Sequence, residues 1–273
     1  MERLEAALEK ARESRRNVLQ NEGPEPRERR PAAPVAAELW SSLKEFKISS
    51  RAARRHRLAA LAAGGQSGSY DLLRSRTMRL MQENQWKSLA VTSPNSGCGK
   101  STVCANLAFS LARQSDVRIL VLDFDFRRPA LNRALSQRPS SSLYEVFQGK
   151  VRAEDHFIRY GDNLAFGLNT RPLANSAELL QSKATHERIK RLADRFKPDF
   201  LLFDVPPMLA SDDHVGFLPH VDCAMLVGAA ESTTMTQLDI CEKELAELTN
   251  VLGLVLNKCR FPEESSTYSY EYA

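Results

Sequence analysis

The chain has 273 residues, of which 42% are hydrophobic and 26% charged, with 12 glycines and 13 prolines. This is the composition of a globular protein, and it excludes a collagen-like, a coiled-coil or a wholly disordered chain. No apolar run reaches the roughly 18 residues that cross a bilayer, and the charged N-terminus lacks the apolar block of a secretory signal. We therefore expect a protein that is neither secreted nor membrane-spanning by itself.

The net charge of +4 is concentrated near the N-terminus, where residues 1–60 carry 14 Lys and Arg against 9 Asp and Glu. Such a basic segment can attract nucleic acid, an anionic membrane or an acidic partner, and it can equally be a solvated tail. The five cysteines are scattered and no histidines cluster with them, so the spacings of metal sites and disulfides are both missing. Reduced thiols are the expected state.

Residues 1–69 are predicted to form a basic, partly disordered arm with short helices. Within it, Trp40, Leu43 and Phe46 have the spacing of one helical face. Residues 63–69 are rich in Gly and Ser, which favours a break before the next segment.

Residues 70–262 alternate short apolar runs with helical stretches. Strands are predicted at Ser88–Thr92, Arg118–Asp123, Leu164–Gly167, Asp199–Asp204, Cys223–Gly228 and Val251–Asn257, and helices at Lys100–Arg113, around Glu178–Leu180, at His186–Phe196 and at Met235–Thr249. Several of the strands are apolar on both faces, as strands covered by helices on two sides must be. The alternation predicts an α/β domain with a three-layer, doubly wound, mostly parallel sheet.

The first of these strands runs into a glycine-rich loop, Ser93–Thr102 (SPNSGCGKST), which opens a helix. This is a phosphate-binding Walker A loop in its strand–loop–helix context, although Pro94 stands where the first glycine is usual. The backbone N–H groups around Gly97, Cys98 and Gly99 can converge on phosphates. Lys100 is expected to bridge the β- and γ-phosphates, Ser101 to ligate Mg²⁺, and Thr102 to lie near the α-phosphate.

Carboxylates follow two other buried strands of this predicted P-loop NTPase sheet. Asp123 and Asp125 come at the end of the run ILVLDFD, and Asp204 ends the run FLLFD. Ligands of open α/β sheets collect at the carboxyl ends of the strands. Asp204 matches a Walker B aspartate, which holds Mg²⁺ through water. Two neighbouring carboxylates need a cation between them, so Asp123 and Asp125 are candidates for the metal and for an incoming hydroxyl proton.

These strings (SPNSGCGKSTVCANLAFSLA, ILVLDFDFRRP and FLLFDVPPMLASDD) resemble those of the bacterial tyrosine kinases of capsule and exopolysaccharide synthesis. The resemblance runs from Tyr70 to the end and includes the segment Asn175–Leu180. It implies that the Asp123 strand is a second acidic motif, Walker A-prime, and that Asp123 is the base for a tyrosine hydroxyl. It also implies ATP and Mg²⁺ as cofactors. Asn257, at the end of the last strand, resembles the residue that reads adenine in related ATPases.

Two differences separate this sequence from the chromosome-partitioning and septum-placement ATPases, which share the fold. Those proteins usually carry a lysine five residues before the Walker lysine, where this chain has Asn95. Their Walker A-prime also lacks the ending formed here by Arg127, Arg128 and Pro129. Both differences favour the kinase branch, and no nucleic acid partner is expected.

Residues 263–273 are predicted to be a flexible tail. Tyr268, Tyr270 and Tyr272 lie within its last six positions, beside Ser and Glu residues that offer no core to join. Exposed tyrosines at such a place fit phosphate acceptors, and the resembling family carries a similar cluster.

The resemblance also implies partners. Family members exist as a cytoplasmic kinase half, held at the inner membrane by a membrane-embedded polysaccharide co-polymerase that activates them. A helix at Tyr70–Arg79 stands where the family makes subunit contacts in a homo-oligomeric ring, and here it offers Asp71 and Arg74 at the first spacing of the contact motif. A solvated amphipathic helix is an equally good interpretation.

We therefore expect an ATP-dependent protein-tyrosine autokinase that regulates the synthesis and export of exopolysaccharide or capsular polysaccharide. The alternative is a membrane-associated, partitioning-type ATPase that serves as an assembly scaffold without tyrosine chemistry.

Overall fold

A computed structural model describes residues 34–61, 67–173 and 175–259. The described strands form one eight-stranded sheet with the order β1-β4-β5-β3-β6-β2-β7-β8. The strands are β1 Lys44–Glu45, β2 Ser88–Thr92, β3 Ile119–Asp123, β4 Ile158–Tyr160, β5 Leu164–Gly167, β6 Phe200–Asp204, β7 Cys223–Ala229 and β8 Asn250–Asn257. All neighbouring pairs are parallel except β4 with β5. The predicted mostly parallel α/β sheet is confirmed.

The helices connect successive strands and cover the sheet. They are α1 Pro34–Ser42, α2 Ser50–Arg55, α3 Gly68–Glu83, α4 Lys100–Leu111, α5 Leu131–Ala134, α6 Leu143–Phe147, α7 Ala153–His156, α8 Ser176–Gln181, α9 Lys183–Phe196 and α10 Met235–Leu248. Among the described residues, no helix combines the length and the apolar character that crossing a bilayer requires.

Burial on both faces explains the apolar runs of the central strands. In β3, Leu120 and Leu122 belong to one hydrophobic core, while Ile119 and Val121 belong to the core on the opposite face. Side chains alternate between the two faces of a strand, so a strand with helices on both sides must be apolar throughout. The sheet thereby places the ends of β2, β3 and β6 side by side, because β6 pairs with both of the other two.

The six strands predicted from the sequence are present with shifts of one residue at most, whereas β1 and β4 were missed. These two strands have only two and three residues, too few to show an alternating pattern. The antiparallel turn into β5 begins at Gly161, whose φ of 61° lies in the left-handed region that favours glycine.

Residues 35–61, which the sequence assigns to the predicted arm, pack with the sheet as part of one compact unit. Trp40 is buried and donates its indole N–H to the Phe196 carbonyl at 2.7 Å. Leu43 and Phe46 are also buried, but helix α1 ends at Ser42, so the three residues do not share one helical face. These large apolar side chains are buried on the sheet, and that burial stabilises the packed position of the stretch even though its composition is basic.

Two predicted features lie outside the described residues. These are the first 33 residues of the predicted arm and the end of the chain from residue 260 onward, which contains Tyr268, Tyr270 and Tyr272. Most of the predicted breaker at 63–69 is outside them as well.

Candidate active site

The Walker A loop joins β2 to α4 and is shaped by two glycines. Gly97 and Gly99 have φ values of 86° and 93°, a conformation that other residues adopt only with strain. At Gly99 a Cβ atom would also collide with the side-chain amide nitrogen of Asn257. Glycine at position 99 therefore serves both the turn of the loop and the close approach of β8.

The segment after β6 holds this loop from the other side. The backbone N–H groups of Met208 and Leu209 donate to the carbonyls of Ser93 and Pro94 at 2.8 and 3.0 Å. Thr92, the last residue of β2, donates its hydroxyl to the Pro206 carbonyl at 2.8 Å. The Walker A loop and the Walker B strand are thus fixed to each other by the backbone, and Pro94 takes part as an acceptor.

The structure brings Lys100, Asp123, Asp125 and Asp204 together, and we call them the acid–lysine cluster. The ammonium of Lys100 lies 2.7 Å from Oδ2 of Asp125 and 3.2 Å from Oδ1 of Asp204. It also lies 3.4 Å from the Ser101 hydroxyl oxygen. Lys100 is 7% exposed and Asp125 3%, whereas Asp123 and Asp204 are fully buried. Two carboxyl groups therefore contact one ammonium at the carboxyl edge of the sheet, and Asp123 lies beside them because it is paired in register with Asp204.

Burial and like charge set the protonation of this cluster. Burial alone would lower the pKa of the Lys100 ammonium, but attraction from Asp204 and Asp125 outweighs it and holds the pKa above its usual value. Burial raises the pKa of Asp123 well above the usual range, and repulsion from Asp204 adds to this effect. Burial also raises the pKa of Asp204, although Lys100 and the Ser101 hydroxyl oppose it. The cluster holds more acid than its cation can neutralise.

Unpaired oxygen atoms show where a further cation fits. Both carboxyl oxygens of Asp123 and Oδ2 of Asp204 are buried without a hydrogen-bond partner. Buried polar atoms are normally paired, so such atoms point to a ligand. In the described part of the chain, no three His, Cys, Asp or Glu side chains are arranged to hold a metal by themselves. Mg²⁺ typically needs only one or two carboxylates beside phosphate oxygens and water, so these residues fit it.

A cavity of about 310 Å³ opens over the cluster. Its walls come from the Walker A loop, the loop after β3 and the loop after β6, and its charged lining residues are Lys100, Asp125, Arg128 and Arg133. Ser96, Gly97, Gly99, Ser101 and Thr102 complete the wall on the Walker side. Most of the predicted phosphate-binding residues therefore line the cavity, whereas Cys98 does not, and the fully buried Asp123 and Asp204 do not either.

The sequence analysis missed a clamp formed by Arg127, Asp213 and Ser176. The guanidinium of Arg127 donates from Nε and Nη2 to both oxygens of Asp213 at 2.9 to 3.1 Å. Ser176 donates its hydroxyl to the same carboxylate at 2.7 Å. The clamp joins the loop after β3, the segment after β6 and helix α8. The strings that carry the family resemblance contain Arg127 and Asp213, and the segment Asn175–Leu180 contains Ser176, but a sequence pattern does not show that the three residues meet.

Asn257 lies beside the Walker A loop, at the end of β8. Its side-chain N–H₂ donates to the Cys98 carbonyl at 2.9 Å. The side chain thus contacts the loop backbone, and its expected role in reading adenine stays a prediction.

The helix predicted at Tyr70–Arg79 is present within α3, and its role in subunit contacts stays a prediction. Its acidic residue has partners within the chain. Asp71 lies 2.8 Å from Arg113 and 3.2 Å from Arg74, and it accepts a hydrogen bond from the Ser110 hydroxyl. These contacts lower the pKa of Asp71 even though burial opposes the shift. The contacts anchor α3 to α4.

The fold and the loop geometry together define a P-loop nucleotide-binding protein. Residues 89–271 match the family model of the CobQ/CobB/MinD/ParA nucleotide-binding domain. The match covers more than half of the chain, and the protein belongs to this family.

Similar proteins carry kinase names. The chain is 29% identical to the tyrosine-protein kinase YwqD of Bacillus subtilis, over 75% of this chain and 85% of that protein. It is 26% identical to the putative tyrosine-protein kinase AmsA of Erwinia amylovora over 79% of this chain, but spans only 30% of AmsA. The solved kinase domain of the Escherichia coli tyrosine kinase ETK has the same fold, with a TM-score of 0.66 at 22% identity over 88% of this chain and 99% of that one. These names do not favour the scaffold alternative.

Proposed function

We propose that this protein is an ATP-dependent protein-tyrosine kinase that transfers the γ-phosphate of ATP to Tyr268, Tyr270 and Tyr272 of its own tail. The observation that carries the proposal is the unpaired carboxyl group of Asp123, next to a Walker lysine and beneath an open cavity. A hydrolytic or transfer site needs a phosphate cradle, and a kinase also needs a group that accepts the hydroxyl proton. The kinase names of similar proteins support this choice.

The chemistry of each side chain indicates its proposed role at the site. Lys100 and the loop amides at Gly97, Cys98 and Gly99 stabilise the negative charge of the transferring phosphoryl group. Thr102 lines the same cavity, and its proposed role is a contact with the phosphate chain. Ser101, Asp123 and Asp204 offer the oxygen atoms that would hold Mg²⁺, which when bound neutralises phosphate charge.

Asp123 is the proposed base, and Asp125 is its competitor. A tyrosine hydroxyl has a pKa of about 10, so it needs a proton acceptor at the moment of attack. Both oxygens of Asp123 are without partners. Asp125 lines the cavity but is paired with Lys100 at 2.7 Å and accepts the Arg128 backbone N–H at 2.9 Å. Its lone pairs are therefore less available than those of Asp123.

We assign the acceptor tyrosine to a neighbouring copy of the chain. The cellular role that we propose is regulation of exopolysaccharide or capsular polysaccharide synthesis and export. Its partner would be a membrane-embedded polysaccharide co-polymerase, which would hold the protein at the cytoplasmic side of the inner membrane.

The test is phosphotyrosine formation by the purified full chain with ATP and Mg²⁺, with and without membrane extract. The matched variant is Tyr268→Phe/Tyr270→Phe/Tyr272→Phe, which keeps the tail length and its charge. We expect an anti-phosphotyrosine signal that this variant loses while its ATP turnover persists. Turnover of ATP by both proteins with no phosphotyrosine under either condition would instead support a scaffold ATPase.

A further inference from the structure

The cavity over the acid–lysine cluster has a cationic outer wall that catalysis by Lys100 and the aspartates does not use. Arg128 and Arg133 both line this cavity and are exposed, whereas Lys100, which also lines it, is buried. Asp125 is the one carboxylate among the described lining residues, and it is paired with Lys100. The outer wall therefore carries two positive charges that no carboxylate of the wall neutralises.

The neighbouring Arg127, in the same loop, has a carboxylate partner. Its guanidinium is held on both oxygens of the buried Asp213. Arg128 instead donates to a neutral group, the Ser96 hydroxyl, at 3.0 Å. Among the described residues, neither Arg128 nor Arg133 forms an ion pair with a carboxylate. The hydrogen bond to Ser96 ties Arg128 to the Walker A loop, so this cation sits beside the phosphate cradle.

The proposed acceptor segment has the opposite charge. Residues 260–273 contain Glu263, Glu264 and Glu271 around the three tyrosines, and Arg260 is their single basic residue. Arginine pairs well with carboxylates, because its planar guanidinium presents several donors at once. Charge complementarity of this kind selects partners and sets register more than it adds affinity.

We propose that Arg128 and Arg133 form a docking wall that selects tyrosine substrates carrying carboxylates near the acceptor, of which this chain's own tail is one. The inference rests on the proposed kinase function and names its substrate class. An acidic residue on either side of the acceptor would contact the wall while the tyrosine enters the cavity. Neutral or basic tyrosine segments would lack that contact.

The experiment measures binding first, so that it does not depend on phosphoryl transfer. The protein is the full chain carrying Glu263→Gln/Glu264→Gln/Glu271→Gln, so that its own tail does not compete. The probe is a labelled peptide of residues 260–273, compared by fluorescence anisotropy with the same peptide in which the three glutamates are glutamines. A non-hydrolysable ATP analogue and Mg²⁺ are present throughout.

We expect Arg133→Gln to weaken binding of the acidic peptide by about fivefold and to leave the glutamine peptide within twofold, as for partly exposed ion pairs. Arg128→Gln should act in the same direction. Arg191→Gln is the matched control, because Arg191 is an exposed arginine of α9 outside the cavity. Raised salt should reduce the difference between the two peptides.

Two results would overturn the docking wall. One is equal affinity for the two peptides. The other is loss of ATP-analogue binding in Arg133→Gln with peptide binding unchanged, which would assign the arginine to the phosphates. A transfer assay with the same peptides then separates this inference from the proposed function. Preferential binding without transfer would refute the kinase and leave the wall, whereas transfer at equal KM to both peptides would refute the wall and leave the kinase.

Discussion

The buried carboxyl groups of the acid–lysine cluster and the buried Asp213 of the Arg127 clamp differ in how completely they are hydrogen-bonded. In the Arg127 clamp, the buried Asp213 receives three hydrogen bonds from one guanidinium and a fourth from Ser176. In the acid–lysine cluster, Lys100 contacts Asp125 and Asp204, whereas both oxygens of Asp123 and Oδ2 of Asp204 have no hydrogen-bond partner. The carboxyl groups of both sets are buried, so the difference between them lies in their hydrogen-bond pairing.

This difference separates a structural acid from a reactive one. A buried carboxylate that is fully hydrogen-bonded stabilises the fold around it, and removing a partner is costly. Carboxyl groups that are buried, crowded and incompletely paired have shifted pKa values and mark functional sites. We therefore expect substitutions in the cluster to change catalysis and substitutions in the clamp to change stability.

The largest effect is expected for Lys100→Met. The substitution removes the charge that would stabilise the transferring phosphoryl group, and loss of one such group lowers kcat by about 10²–10³-fold or more. ATP turnover and phosphotyrosine formation measure the loss, and circular dichroism checks that the fold is kept. Lys183→Met is the control, since Lys183 is exposed at the start of α9. Turnover equal to that of the unaltered protein would show that nucleotide chemistry does not use this loop.

The next effect sharpens the distinction within the cluster. Asp123→Asn should lower the rate of phosphoryl transfer by about 10²–10⁴-fold, the usual contribution of a general base, while nucleotide affinity changes little. Asp125→Asn serves as the matched variant, because Asp125 is already paired with Lys100. Single-turnover transfer and equilibrium nucleotide binding are measured for both. If the Asp125 variant loses transfer and the Asp123 variant keeps it, the base is Asp125.

A smaller effect is expected for the clamp. Asp213→Asn should lower the free energy of unfolding by about 2 kcal/mol, because charged hydrogen bonds to Arg127 are lost while the half-exposed guanidinium regains water. Urea unfolding measures this loss. The adjacent Asp212→Asn, at an exposed position, should be close to neutral. If Asp213→Asn keeps full stability but lowers the rate of phosphoryl transfer a hundredfold, the clamp is not a purely structural group and the distinction from the cluster fails.

The smallest effect is expected for His156, a buried side chain that is hydrogen-bonded in its neutral form. His156 shares a hydrogen bond with the Ser141 hydroxyl at 2.8 Å and accepts the Leu168 backbone N–H at 3.2 Å. Burial lowers the pKa of His156 to about 4 from 6.5. The unfolded chain therefore binds a proton more readily between these two pH values, and the folded protein loses stability as the pH falls through that window.

The expected loss from this histidine between pH 7 and pH 5 is about 2 kcal/mol in the free energy of unfolding. His156→Gln should flatten the pH dependence of the free energy of unfolding in that range. An unchanged slope in the His156 variant would mean that the ring is protonated in the folded protein.

Sequence reasoning located the ends of β2, β3 and β6 because each signal was local. The Walker loop lies within ten residues, and the apolar runs before Asp123 and Asp204 mark strands that are buried on both faces. Parallel pairing then brings their carboxyl ends together. The fold and the acid–lysine cluster could therefore be predicted from the sequence.

The clamp and the cationic wall could not be predicted from the sequence, because their contacts join segments that are distant in sequence. Arg127 and Asp213 are 86 residues apart, and Arg128 meets Ser96 across 32 residues. The place of Trp40 was missed for the same reason, since its indole pairs with Phe196 from 156 residues away. The basic composition of residues 35–61 is typical of a solvated arm, and it does not show that the few large apolar side chains of this stretch pack on the sheet.

The fate of the γ-phosphate tests the central claim most directly. Radiolabelled ATP is mixed with excess full chain and Mg²⁺ in a single turnover, and the label on protein is compared with the label released as inorganic phosphate. We expect label on Tyr268, Tyr270 or Tyr272, at the expense of free phosphate, and its loss in Asp123→Asn. Release of all the label as inorganic phosphate, with none on tyrosine in the presence of membrane extract, would contradict the kinase.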